Sequence, residues 1–429
     1  MKDITAYAVD AMLKAGADKA ACKASSGRKD EFNVEAGKFS LLRTLFEDEL
    51  SLRVIKGGRK GTIEVNKLDK ASIDKAVEDC IALANAAAPD EAEDIAPHVE
   101  NKNFSRMIGG ADMAQLFARS KELLEQTRDE FPKITLDMTT EFNSKKTAYL
   151  NSNGAEFCDE TEHYEFSTTF TAKEGEESSS FNYYGAGMES LAVPFMEIGM
   201  QRALLAESVK SIKTRMVDDK FVGKIIVAPS CEDMVWHTIL GCFLGNFAMI
   251  NGTSRWKDAL GTLVADTKLT MSASPLAAGM VAAERFTGDG FLSRDFDFIQ
   301  SGVLNSFALN LYGANKTGKP RAANSAHYNI QVAAGDTPLA DMIKGIDKGI
   351  LVNRFSGAQP GPSGDISGVA KNSFLIENGQ VTDAISETML SFNIVDILKN
   401  IPAISKERAA NGATLLPWCC FDGVTVSGK

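Results

Sequence analysis

His237 stands in an apolar stretch, with Cys231 six residues before it and Cys242 five after. Imidazole and thiolate both suit zinc, but a hydrolytic zinc needs at least three protein ligands and a carboxylate beside its open position to activate water. The residue that follows His237 is Thr238, whose side chain cannot act as that base. On an α-helix a residue five positions on lies about 140° away, so His237 and Cys242 share a face only if the helix is distorted. Read by itself, His237 fits a buried histidine bonded to a carbonyl and flanked by small thiols that pack as core. The chain has only four histidines, the others being His98, His163 and His327, so a mechanism needing two or three imidazoles would use most of them. His98 falls in a polar linker and reads as a solvated residue.

A second cluster, Lys316-Thr317-Gly318-Lys319-Pro320-Arg321, is basic within an acidic protein. It reads either as a solvated turn or as a clamp in which Lys316, Lys319 and Arg321 meet a peptide carboxylate or an acidic partner surface. Ser363-Gly364-Asp365-Ile366-Ser367-Gly368 follows a Pro-Gly-Pro turn and has no GK[ST] ending, so it reads as a structural loop. The chain has no GxxxxGK[ST], no GxGxxG opening a helix, no GxSxG elbow and no CxxC pair, which leaves little support for nucleotide binding.

The elements that must position these groups follow from periodicity. Ile4, Tyr7, Ala8, Ala11, Met12 and Ala15 mark one helix face, and Gly16 stands where a C-terminal cap is expected. From Asp18 to Lys67 alternation predicts strands, with a hairpin around Gly57–Gly61. Ile73 to Ala84 restores helical spacing, and Pro89 with the acidic run Asp90–Asp94 reads as a surface linker. A helix over about Ala111–Arg128 is followed by polar strands near Ile134–Thr140, Thr147–Leu150, Glu156–Asp159 and Tyr164–Ala172, which could offer an edge to an extended peptide. Pro194 opens a helix over about Val193–Val209. Beyond it come a strand at Ile225–Val227, an apolar helix started by Pro229-Ser230, and strands at Phe296–Ile299, Val303–Leu311, Asn329–Val332, Gly349–Asn353 and Ser373–Ile376. Strands and helices are clustered rather than alternating, so the fold class is α+β. The N-terminal part, residues 1–215 with a break near 89–110, places helices on a mixed sheet; the C-terminal part, 216–429, is mainly antiparallel β with one buried helix.

Composition narrows the function. The 429 residues hold 44% hydrophobic and 24% charged side chains, a globular balance, and a net charge of −11 that disfavours direct contact with nucleic acid. Seven cysteines, odd in number and irregularly spaced, read as reduced thiols. The N-terminus lacks the pattern of a signal peptide, so a cytoplasmic location is expected. Met234–Ser254 has no charged residue and approaches the length of a membrane span, but His237, Asn246, Asn251, three glycines and two threonines make it a buried helix with a following loop.

The C-terminal half resembles a known family. Gly252-Thr253-Ser254, Ile299-Gln300-Ser301-Gly302-Val303-Leu304, the loop Lys316–Arg321 and Gly349-Ile350-Leu351-Val352 occur in the order found in the TldD/PmbA (TldE) family. Gly364-Asp365-Ile366-Ser367, Phe374-Leu375-Ile376-Glu377-Asn378-Gly379 and the terminal Phe421–Gly428 continue that order. The resemblance implies a cytoplasmic dimer, with a TldD-like subunit or with a second copy of this chain, enclosing a peptide-processing chamber. In the TldD branch it implies a zinc site with HExxxH on a helix and a cysteine further on. The matching stretch here is His237-Thr238-Ile239-Leu240-Gly241-Cys242, and Asn411-Gly412-Ala413 falls near the position of the distant cysteine, while Cys419 and Cys420 sit closer to the terminal strand. The degenerate positions His237, Thr238 and Cys242 point to the PmbA/TldE-like branch. The resemblance then implies no catalytic residue, metal or cofactor in this chain, zinc in a TldD-like partner, and a role as a non-catalytic or regulatory subunit handling unfolded peptides. Two other readings stay open: an active peptidase with an atypical His/Cys metal site, and a protein-binding modulator of DNA gyrase or of a toxin–antitoxin system.

Overall fold

A computed structural model describes residues 1–97, 100–231, 233–281, 283–325, 329–357 and 360–428; His98 and His327 lie outside the described residues. The first unit runs α1 (Lys2–Lys14), β1 (Lys19–Glu35), β2 (Lys38–Lys56), β3 (Arg59–Val65), α2 (Lys70–Ala86), β4 (Asn101–Arg106), α3 (Met113–Glu130), β5 (Ile134–Asn151), β6 (Glu156–Glu174), β7 (Glu177–Ser178), β8 (Asn182–Met188) and α4 (Gln201–Lys210). Its main sheet has the order β3-β2-β1-β5-β6-β4, antiparallel except for the β4–β6 pair, with β7 and β8 also on β6. The chain is α+β.

Local chemistry sets the helices. The side chain of Asp69 accepts the amide of Ser72 to open α2, and Asp112 accepts that of Gln115 to open α3. Gly61 on β3 lets α2 lie directly on the sheet, since a Cβ there would stand 2.1 Å from the carbonyl oxygen of Cys80. Apolar residues of α1 and α2 close over the near half of β1–β3, and α3 and α4 close over the far half of β1, β5, β6 and β8.

The second unit begins with β9 (Phe221–Val227) and continues through α5 (Asn246–Ile250), β10 (Met271–Ala273), β11 (Phe296–Gln300), β12 (Val303–Leu304), α6 (Leu311–Thr317), β13 (Ile330–Val332) and α7 (Leu339–Lys344). It then runs β14 (Lys348–Val352), β15 (Arg354–Gly357), β16 (Asp365–Lys371), β17 (Ser373–Glu377), β18 (Gln380–Ile385), β19 (Met389–Asn393), α8 (Ile394–Leu398), β20 (Ala403–Ala410) and β21 (Leu415–Ser427). The largest buried cluster of the protein fills this sheet. Pairing is mostly antiparallel, with β9–β14 and β13–β21 parallel. No described helix is long and apolar enough to cross a membrane.

Several expectations are corrected. The four polar strands over Ile134–Ala172 are two continuous ones, β5 and β6, paired with each other along most of their length. Each also has a second neighbour over most of that pairing, which leaves only short stretches of either edge open. Alternation fades wherever one face of a long strand is polar on both sides, and that broke the reading into pieces. The helix expected from Val193 is a 3₁₀ turn, Phe195–Glu197, and then α4, because Gly199 takes a left-handed conformation at φ +52°. The strand read over Val303–Leu311 stops at Leu304. Pro89–Asp94 is not a solvated linker: Ala92, Ile95 and Ala96 are buried, and Glu93, 9% exposed, joins both Arg53 and Lys60. Asp90 pairs with Lys316 at 2.9 Å and accepts the Tyr312 hydroxyl at 3.0 Å, so this segment ties the two units together.

A further tie joins α4 to the second sheet. The Asn353 amide donates to the Glu207 carboxylate at 2.8 Å, and burial pushes that carboxyl up from 4.5 to about 7 despite this bond. The folded form therefore binds a proton that the unfolded chain releases near pH 4.5. The stability from this group is full below pH 4.5 and is lost as pH rises through about 7. The expected loss is roughly 2 kcal/mol, less than the whole shift would give because Glu207 keeps some contact with water. Thermal unfolding from pH 4.5 to 8 measures it, and Glu207→Gln should flatten that slope.

Candidate functional site

The residues from Pro229 to Ile250 do not form one α-helix. They form a 3₁₀ turn (Pro229–Cys231), wide π turns over Asp233–His237 and Leu240–Leu244, and the short α5 after Gly245. The Gly245 amide donates to the carbonyl of Leu240 at 2.7 Å, an i→i+5 bond. Such winding turns successive residues through a smaller angle than an α-helix does. The helix is therefore distorted around His237, and wide turns of this kind often mark functional sites.

His237 is exposed and Thr238 buried, and both line a cavity of about 390 Å³. Ser230, Met234, Tyr183 and the strand β15 form its other walls. Arg354 lies with its guanidinium 3.8 Å from the Phe181 ring centre and 5.1 Å from that of Tyr183, and it donates to the carbonyl of Phe181. The stacked cation borders the cleft, and β15 pairs only with β16, leaving its outer edge without a described partner.

The thiol of Cys242 donates to the carbonyl of Pro360 at 3.7 Å, and burial raises its pKa, which disfavours the thiolate a metal needs. Cys419 and Cys420 are buried in β21, and burial pushes the Cys420 thiol up to about 12. Asn411 borders an adjoining cavity of about 230 Å³ that shares Tyr183 and Ser230 with the cleft. Its side-chain oxygen accepts the amides of Ala413 at 2.9 Å and Thr414 at 2.7 Å, so it caps its own turn. Among the described residues no group of three or more His, Cys, Asp or Glu side chains is placed to hold a metal. The described donors therefore do not fit a zinc with three protein ligands, and the position that would supply the base is Thr238.

The basic cluster lies apart from this cleft. Lys316 pairs with Asp90, Lys319 reaches Asp258 at 3.4 Å, and Arg321 stacks 3.7 Å from the Phe291 ring centre with Asp289 at 3.7 Å. Each of the three is answered by an acid of its own chain. Sequence reasoning missed Arg354, Tyr183 and the edge strand, because Arg354 and Phe181 are 173 residues apart and nothing near either one marks the contact.

Thiol chemistry checks this picture. With its raised pKa, Cys242 should react only slowly with iodoacetamide at pH 7.5, as should half-buried Cys158, while Cys22, Cys80, Cys231, Cys419 and Cys420 stay unmodified until the chain unfolds. Mass spectrometry of timed digests reads the order.

Two family models match this chain: the PmbA/TldA metallopeptidase C-terminal domain over residues 222–428, and the PmbA/TldA metallopeptidase domain 1 over 22–84. Metalloprotease PmbA of Escherichia coli O157:H7 is 22% identical over 392 residues, covering 86% of this chain and 84% of that protein. A PmbA homologue of Haemophilus influenzae is 21% identical, with 100% and 96% covered. Among solved structures, a Bacteroides thetaiotaomicron protein described as a modulator of DNA gyrase superposes with a TM-score of 0.89 at 22% identity, covering 100% of this chain and 99% of that one. TldE from Thermococcus kodakarensis superposes with a TM-score of 0.83 at 17% identity, with both chains fully covered.

Proposed function

Since the chain belongs to the TldD/PmbA metallopeptidase family, we propose that it is a non-catalytic or regulatory subunit of a TldD/TldE-type zinc metallopeptidase, which holds an unfolded peptide while a TldD-like companion supplies zinc and the catalytic base. The observation that carries this reading is the cleft itself. It keeps the wide-turn segment and an open strand edge, yet has Thr238 where a hydrolytic site needs a carboxylate. Without that base, water activation and proton delivery to the leaving amine both fail, a loss of orders of magnitude in rate.

An extended peptide can still bind. The free edge of β15 offers main-chain donors and acceptors with little demand on sequence, and these replace the edge expected on β5 and β6. Arg354, fixed by stacking on Phe181 and Tyr183, supplies a cation at one end of that edge for a peptide carboxylate. The subunit's work is positioning, in the cytoplasm and without contact to nucleic acid.

The purified chain is expected to contain no stoichiometric zinc and to cleave no unstructured peptide, while binding such a peptide with an affinity that Arg354→Ala lowers about tenfold. Elemental analysis, a fluorogenic peptide assay and fluorescence anisotropy read the three outcomes. One zinc per chain that disappears in His237→Ala, together with chelator-sensitive cleavage by the isolated protein, would replace this reading with an active peptidase.

A further inference from the structure

Strand alternation puts Ala20, Cys22, Leu50 and Leu52 under α1 and α2, and so turns Ala21, Lys23, Ser51 and Arg53 to the opposite face of the sheet. On that face lies a cavity of about 290 Å³, whose walls also include Ile95 and the Gly288-Asp289 turn of the second unit. It shares no lining residue with the cleft at His237 and Arg354. Pairing register gives its layout. Tyr149, Lys23, Ser51 and Glu64 stand in one row across β5, β1, β2 and β3, and small Ala21 stands beside Arg53 in the next row.

One end of this layout gathers hydrogen-bond donors that lack acceptors. Lys23 is half-buried and has no ion pair among the described residues. Arg53 gives its Nη2 to Glu93 at 2.6 Å, while its Nε is buried and meets no acceptor among the described residues. Tyr149, 2% exposed, accepts the Asn151 amide at 3.5 Å and donates its own proton to no described residue. Burial pushes that hydroxyl up to about 12, so it stays a donor at neutral pH. Glu93 is shared by Arg53 and Lys60, two cations to one acid, and Lys23 adds to the surplus of positive charge. Asp289, the acid that acts on Tyr149, is itself engaged by Arg321 at 3.7 Å and by the Leu311 amide at 2.8 Å. Buried donors without acceptors are costly, and an anion placed here would satisfy them.

The far end carries the opposite charge. Glu64 is exposed and has no ion pair among the described residues, and Glu49, diagonal to it on β2, meets Lys145 at 3.8 Å and the Ser25 hydroxyl at 3.4 Å. A simple anion would be repelled at this end and a simple cation at the other, so the ligand that suits both carries both charges. Two strand spacings, about 10 Å, separate β1 from β3, and a peptide of two or three residues spans about 7–10 Å between its ends. The cavity volume fits a ligand of that size, since pockets for larger molecules run from about 300 Å³ upward. We propose that this cavity binds a free peptide of two or three residues, its C-terminal carboxylate received by Lys23, the Arg53 Nε–H and the Tyr149 hydroxyl and its N-terminal ammonium by Glu64 and Glu49. A site that reads both termini takes short fragments and rejects longer chains. It stands whether or not the Arg354 cleft holds an unfolded peptide.

Isothermal titration calorimetry of the full chain with trialanine at pH 7.5 tests the site. Trialanine is expected to bind one per chain, and N-acetyl-trialanine and trialanine amide each about tenfold more weakly. Lys23→Gln is expected to weaken trialanine about tenfold and leave the amide unchanged, and Glu64→Gln to weaken trialanine about tenfold and leave the N-acetyl form unchanged. Damage to the fold would weaken every form alike, and the exposed Glu64 can be neutralised without such damage. Arg354→Ala is expected to leave trialanine binding as it is. Absence of binding at millimolar trialanine, blocked peptides that bind as well as the free one, or variants that weaken all forms equally overturn the proposal. So does loss of trialanine binding in Arg354→Ala, which would assign the peptide to the cleft.

Discussion

Strand length is the constraint on which the rest of this structure depends. β1, β2, β5 and β6 run for 17, 19, 18 and 19 residues, against the five or six that are usual, and each spans about 60 Å. No single layer of helices covers such a sheet, so its parts are satisfied separately. α1 and α2 cover one half of one face and α3 with α4 the other half. On the opposite face, Tyr149 and Phe157 pack against Phe286 of the second unit, with ring centres 6.2 and 5.2 Å from it. The segment from Asp90 to Ala96 then wedges between the units, with Glu93 held by Arg53 and Lys60 and Asp90 by Lys316. Glu93 alone of these groups is buried, so removing its cations would leave an uncompensated buried charge.

The same logic of burial shapes the cleft. A thiol that becomes half-buried beside a carbonyl keeps its proton, whereas a metal site must stabilise the thiolate with positive charge or a metal ion. Thr238 removes the acid, and Asn411 spends its side-chain oxygen on its own turn. The cleft keeps its shape: wide turns opened by i→i+5 bonding, a four-residue strand with one edge open and a cation held flat by two rings. Each of these features arises from ordinary packing of the second sheet.

Much of the fold was legible in the sequence where a single period governed the segment. α1, α2 and the Gly57–Gly61 hairpin follow directly from apolar spacing and turn residues, and the α+β class follows from clustering. Legibility failed where tertiary context overrides period. The break in the Val193–Val209 helix comes from one left-handed glycine, and the π turns leave no local signal because an apolar run reads the same in either winding. At the candidate site His237, Thr238 and Cys242 could be named from spacing and resemblance, but the role of Arg354 could not, since it depends on rings 171 and 173 residues away in the chain. The basic cluster looked free for the same reason: its acids, Asp90, Asp258 and Asp289, are remote in sequence.

One consequence of the long sheet concerns the part of its face that helices do not cover. Glu31, Glu141 and Glu165 stand directly opposite one another across β1, β5 and β6, a row of like charges that would ordinarily weaken strand pairing. Glu31 pairs with Arg43 at 2.9 Å and Glu141 with Lys29 at 3.1 Å, and Glu165 shares a hydrogen bond of 2.8 Å with the His163 ring. The bond from His163 holds the Glu165 carboxyl below its usual range. Cations and hydrogen-bonding groups interleaved with carboxylates keep this face polar and paired, which leaves it without the apolar surface that the open β2 edge retains. The contrast between that polar face and the β2 edge on the same sheet places the exposed apolar side chains along the edge.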